Sequence, residues 1–137
     1  MIKKTFVLLL CALMVFAGTG SALAATSGEQ TKGFVAVAPL VGEFLYNPFK
    51  AEAERVGKTV NVKGRIALME MDRDEGKPVI IFEHQGGDGQ RYKVKCFVSK
   101  EDPMLMKVGR GDTVTIQGTV SGFEYEVIAI QDCKIMQ

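Results

Sequence analysis

The chain is 137 residues long, enough for one domain, and its 17 Lys and Arg against 16 Asp and Glu give a formal net charge of +1. A dedicated nucleic-acid binder carries a clear positive excess, because phosphate neutralisation dominates its affinity. The balance here counts against such a partner, although a local basic patch can suffice.

The first segment is a targeting signal. Lys3 and Lys4 precede an apolar run, Phe6 to Phe16, that is too short to span a bilayer comfortably. Ala22-Leu23-Ala24 supplies the small residues of a cleavage site, so residues 1–24 are expected to be a signal peptide removed between Ala24 and Ala25. The address is the periplasm or the cell exterior. No later stretch is long or apolar enough for a transmembrane helix, so the mature chain is expected to carry none. Loss of Lys3 and Lys4 leaves 15 basic and 16 acidic residues. Residues 25–33 are small and polar and read as a flexible linker, and 34–137 as the folded domain.

Leu40, Val41, Phe44 and Leu45 are spaced as one helical face. Asn47-Pro48 starts a second helix, Asn as cap and Pro in the first turn, with Phe49, Ala53 and Val56 as its face and Gly57 as its stop. From Val56 to Leu68 the period becomes two. Val60, Val62, Ile66 and Leu68 share a side with Gly64, while Thr59, Asn61, Lys63 and Arg65 share the other. The phrase returns from Gly111 to Val120, with Gly118 standing where Gly64 stood. A glycine inside a strand marks a bend or bulge, so Gly64 and Gly118 are expected to curl two long strands into a small barrel.

Between these two lie Pro78–His84 as strand two and Gln90–Val98 as strand three, after a charged turn at Met71–Lys77 and a glycine-rich loop at Gln85–Gly89. Asp102-Pro103 caps a short helix that ends at Gly109. Ser121-Gly122 reads as a tight turn into strand five, Phe123–Ile135, where a change of phase predicts a bulge near Gln131 or Asp132. The expected fold is mainly β, a five-stranded OB-fold Greek-key barrel with an N-terminal helical segment and a short helix between strands three and four.

Tyr46-Asn47 with Ala51, Val56-Gly57-Lys58 leading to Val60–Gly64, and Val94-Lys95-Cys96-Phe97 follow one another along the chain, and Leu105–Gly109, Val114–Gly118 and Ile130–Ile135 complete the set. In this order and spacing they resemble the tRNA-anti-like proteins, small exported bacterial OB-fold domains. The resemblance spans about residues 44–135. It implies an exported OB-fold, with nucleic-acid binding inferred mainly from that fold. The family often has a cysteine after strand four, where this chain has Val120. Cys96 and Cys133 therefore remain as the possible pair. An even count in an exported chain favours a disulfide, and in this fold the strands carrying them run side by side; two buried free thiols are the alternative.

Catalytic material is scarce. His84 is the single histidine, and with Cys96 and Cys133 it makes up the soft-ligand supply of the mature chain, without motif spacing. No catalytic residue, metal or cofactor is expected. Binding is better founded. Arg91, Lys93 and Lys95 share one face of strand three. Should strand two turn Phe82 and His84 the same way, an aromatic lies beside three cations, the combination that single-stranded nucleic acid uses. The phase of strand two is open, because Val79 to Phe82 is continuously apolar. The expected function is a non-catalytic exported module for a protein or cell-envelope glycan, the alternative being single-stranded nucleic acid on the outer face of strands two and three.

Overall fold

A computed structural model of the chain describes residues 33–136. The expected signal peptide, and all of the expected linker but Gly33, lie outside the described residues. A two-residue strand β1 (Val35–Ala36) leads into helix α1 (Val37–Tyr46) and helix α2 (Pro48–Arg55). Then come β2 (Thr59–Arg65), β3 (Leu68–Asp72), β4 (Lys77–Gln85) and β5 (Arg91–Val98). A 3₁₀ turn (Pro103–Met106), β6 (Thr113–Glu124) and β7 (Val127–Ile135) complete the order. No helix among the described residues is long and apolar enough to cross a membrane.

The caps form as the sequence reads. The Asn47 side chain accepts a hydrogen bond from the Lys50 N–H at 3.1 Å, with Pro48 in the first turn of α2. Asp102 accepts from the Met104 N–H at 2.9 Å and, with its other oxygen, from the Ile135 N–H at 3.1 Å, so it caps the 3₁₀ turn and ties it to β7. Arg55 makes a bidentate ion pair with Glu43, at 3.0 and 2.8 Å, and this holds α1 and α2 together.

The strands form one mixed sheet in the order β1-β2-β6-β7-β5-β4-β3. Pairs β1–β2 and β5–β7 are parallel; the others are antiparallel. Seven strands replace the five expected. The first predicted strand divides into β2, which pairs with β6, and β3, which pairs with β4. The exchange occurs between neighbours: the Ile66 N–H donates to the Asp112 carbonyl and the Ala67 N–H to the Ile81 carbonyl, each at 2.9 Å. Alternation runs unbroken through this point, so the pattern carries no mark of it.

Two local readings are corrected. Ser121-Gly122 is not a turn: β6 runs through it with a register irregularity between Val120 and Gly122. The reversal falls at Tyr125–Glu126, whose φ of +51° and +62° are left-handed without glycine. In α2 the buried residue is Ala51, whereas Phe49, Ala53 and Val56, the expected inner face, are all exposed. The β7 bulge is present. Ile130 to Cys133 spans three steps while Cys96 to Val98 opposite spans two, and Asp132 takes a φ of +53°.

The main core gathers Leu40, Val41 and Phe44 of α1 with Val60, Val62, Phe82, Val94, Ile116, Ile128 and Ile130 of the sheet. Phe44 stacks on Phe123 with ring centroids 5.3 Å apart. Gly64 and Gly118 both lie in strands, as expected, but crowding requires them. A Cβ on Gly64 would meet Val37 Cγ2 at 2.6 Å and Phe82 Cδ1 at 3.0 Å. A Cβ on Gly118 would meet Ile130 Cγ2 at 2.6 Å, Cys133 Sγ at 2.7 Å and the Gln131 carbonyl at 2.9 Å.

Candidate binding groove

The register of β4 on β5 decides which predicted residues share a surface. Phe82 lies opposite Val94 and His84 opposite Tyr92, while Ile81 lies opposite Lys95, Glu83 opposite Lys93 and Gln85 opposite Arg91. Cross-strand partners share a face. Arg91, Lys93 and Lys95 therefore form one row, as expected, but Phe82 and His84 belong to the opposite side. Phe82 is fully buried and unavailable to a ligand; His84 is half-buried beside Tyr92. The continuous apolar run hid this phase because both faces of β4 are covered. Val79, Ile81 and Phe97 make a second small cluster on the outer side with Leu68 and Ala129.

The outer side carries a groove of about 720 Å³. Lys95, Phe97, Val127 and Ala129 of β5 and β7 line it, together with the β3–β4 turn (Asp72, Asp74, Glu75) and the end of β6 through Tyr125. Glu52 of α2 also lines it. Gln131 donates to Glu75 at 2.9 Å, which ties the acidic turn to β7. Lys77 stands 3.9 Å from Glu75, an exposed pairing of little strength. Five carboxylates (Glu52, Asp72, Asp74, Glu75 and Glu124) thus face one lysine, Lys95. Phe97 takes the floor position that the sequence reading gave to Phe82. The alternation of β5 already puts Phe97 in phase with Arg91, Lys93 and Lys95; what it does not show is that the outer face of β4 and β7 closes around it.

The disulfide is not formed. Cys96 and Cys133 are free, buried thiols. The bulge in β7 sets Cys133 opposite Val98, two residues past Cys96, and its thiol donates to the Ile130 carbonyl at 3.2 Å. Hydrogen bonding with Cys133, then burial, pushes the Cys96 thiol well above its ordinary pKa, so it stays protonated. Among the described residues no three His, Cys, Asp or Glu are placed to hold a metal ion.

The glycine-rich loop between β4 and β5 is tied down by one carboxylate. Asp88 accepts from the Tyr92 hydroxyl at 2.7 Å and from the Gln90 N–H at 2.9 Å, and Gly86 N–H donates to the Gln90 carbonyl at 2.8 Å. The Tyr92 bond, then the Gln90 bond, hold the Asp88 carboxyl below the ordinary range, and the same bond raises the Tyr92 hydroxyl. A depressed carboxyl contributes stability above its unfolded pKa, and that stability fades as pH falls through the folded value. A raised phenol contributes below its unfolded pKa and loses that as pH rises through the folded one. In Tyr92→Phe the Asp88 carboxyl is expected to titrate closer to the ordinary value, and stability should fall less between neutral and acid pH than in the wild type. Carbon-detected NMR titration and melting curves against pH check this; an unmoved Asp88 pKa would refute the assignment.

No curated protein matches the chain. Among solved structures it is similar to a lipoprotein provisionally named nucleic acid-binding from Klebsiella pneumoniae subsp. pneumoniae. That match has 22% identity and a TM-score of 0.56 over 76% of this chain and 92% of that one. At this identity the likeness is one of fold. A protein provisionally named an aspartyl-tRNA synthetase from Leishmania major matches at 14% identity and a TM-score of 0.47, over 81% of this chain but 22% of that one. The tRNA_anti-like family model matches residues 1–134, and the chain belongs to the tRNA_anti-like family.

Proposed function

We propose that this chain is an exported, non-catalytic binding module that holds a cationic polypeptide segment in the groove between the β3–β4 turn and the β6–β7 hairpin. The observation that carries this is the count of charges: five carboxylates and one lysine, Lys95, line the groove, with Lys77 beside Glu75 outside the lining. Such a lining draws lysine and arginine side chains and repels a phosphate backbone. An OB-type closure supports the site's position, because OB-folds bind on this side, between the loops after their first and fourth strands. The split of Ile66 and Ala67 between Asp112 and Ile81 supports that closure, since adjacent residues carry the chain from β2, beside β6, to β3 at the far end of the strand order. Export rests on the signal-like pattern of residues 1–24 and agrees with the lipoprotein name of the Klebsiella protein.

Single-stranded nucleic acid is the second reading. It is favoured by the row of Arg91, Lys93 and Lys95 and by the name of the Klebsiella relative. One substitution separates the two readings by sign. Lys95→Glu should tighten binding of a labelled octalysine peptide several-fold and leave the melting temperature nearly unchanged. Under the nucleic-acid reading the same change weakens binding of a labelled oligonucleotide, and the wild type must bind it more tightly than about 10⁻⁴ M at low salt. Octalysine affinity that Lys95→Glu leaves unmoved would remove the proposed function.

A further inference from the structure

One feature lies outside that groove. Phe49, Ala53 and Val56 are spaced i, i+4, i+7 along α2 and its end, the pattern of a helix face made to be covered. They stay open to solvent, Phe49 by 83% and Val56 by 37%. All three line a channel of about 610 Å³ whose other side is Ser121 and Gly122 of β6.

That side of β6 is an unfinished sheet edge. β2 pairs with β6 only as far as Thr119, and the last bonds across are Val120 N–H to Lys58 and Gly57 N–H to Val120. Beyond Val120, residues Gly122–Glu124 have β7 on one side and, among the described residues, no strand on the other. An edge of this kind is a template for another strand unless its protein blunts it. Here a helix stands beside it with its apolar stripe uncovered and room between.

The geometry points to a strand-addition site: an extended segment of a partner protein, alternating apolar and basic residues, pairs with the Ser121–Glu124 edge and lays its apolar side chains on Phe49, Ala53 and Val56. Main-chain hydrogen bonds supply the affinity of such a contact, and pockets for alternate side chains supply the selectivity. The choice of occupant follows from charge. Glu52 borders both the channel and the acidic groove, and Glu124 projects from the paired strand, so the polar side of the guest must be cationic. Ser121 and Gly122 also border both, so a single segment passes from one into the other. The inference rests on the reading of the chain as a binder of cationic polypeptide, and it adds what the groove alone does not require: a β conformation and apolar residues at every second position.

The test uses three labelled eight-residue peptides and the folded protein: alternating Val-Lys, its fully N-methylated form, and octalysine. Val-Lys is expected to bind at least tenfold more tightly than octalysine, and to slow amide exchange at Ser121–Glu124. Phe49→Ser should cut Val-Lys affinity about tenfold and leave octalysine untouched, because Phe49 lies outside the groove. N-methylation should abolish the gain. Equal binding of the N-methylated peptide, or indifference to Phe49→Ser, overturns the strand-addition site while leaving the groove reading intact. The groove reading fails separately when octalysine affinity ignores Lys95→Glu.

Discussion

Gly118→Ala is expected to lower stability by about 1–3 kcal/mol, the usual cost of forcing extra volume into a packed interior, and to drop the melting temperature by roughly 5–20 °C. Three atoms stand within 3 Å of where the new methyl must go, and they are not equivalent. Ile130 Cγ2 and Cys133 Sγ belong to side chains that turn by rotation. The Gln131 carbonyl belongs to the backbone at the β7 bulge and moves only with the strand. Adding Cys133→Ala should return part of the loss, because it clears one of the three obstacles, and neighbouring sites of this kind couple by about 0.5–3 kcal/mol. Thermal melts of the two single variants and the double variant measure the coupling. A Gly118→Ala protein that melts with the wild type, or a double variant that is simply additive, would contradict the close approach of β6 and β7.

Phe82→Ala should cost about 3–5 kcal/mol, the usual range for an aromatic removed from a core. That is a large share of the roughly 5–15 kcal/mol that keeps a domain folded. Phe82 is fully enclosed, paired with Val94, and near enough to Gly64 that a methyl there would sit 3.0 Å from its ring. An aromatic serving a surface site behaves otherwise: its truncation removes ligand affinity and spares the melt. Phe49→Ser gives the comparison within the same protein, since Phe49 is exposed and its loss should leave stability within about 0.5 kcal/mol. Chemical denaturation of both variants decides the matter, and a Phe82→Ala protein as stable as Phe49→Ser would return Phe82 to the surface.

These contrasts show where local pattern carries information and where it stops. The alternation of Arg91 to Val98 told which side each residue of β5 takes, because one face meets the core and the other keeps three cations. The alternation of β4 was silent, because Val79 and Ile81 are as buried on the outer side as Ile80 and Phe82 are on the inner. A run buried on both faces has no period to read. The caps at Asn47 and Asp102 were legible for the opposite reason: a cap is satisfied within three residues of itself.

Sequence by itself determined the mainly β class, the two capped helix starts, the bulge in β7, the cation row on β5 and membership in a family of small β-rich domains. Each of these depends on neighbours along the chain, so each leaves a local trace. Tertiary structure alone decided that the β6–β7 reversal sits on Tyr125–Glu126 and not on Ser121-Gly122, and that Cys133 falls opposite Val98 with its thiol unbonded. It also decided that Asp72, Asp74, Glu75, Glu124 and Glu52 converge around Lys95. For the last two the physical reason is the same. Register between strands far apart in the chain is fixed by how the whole core closes, and no residue encodes its distant partner in its own immediate surroundings.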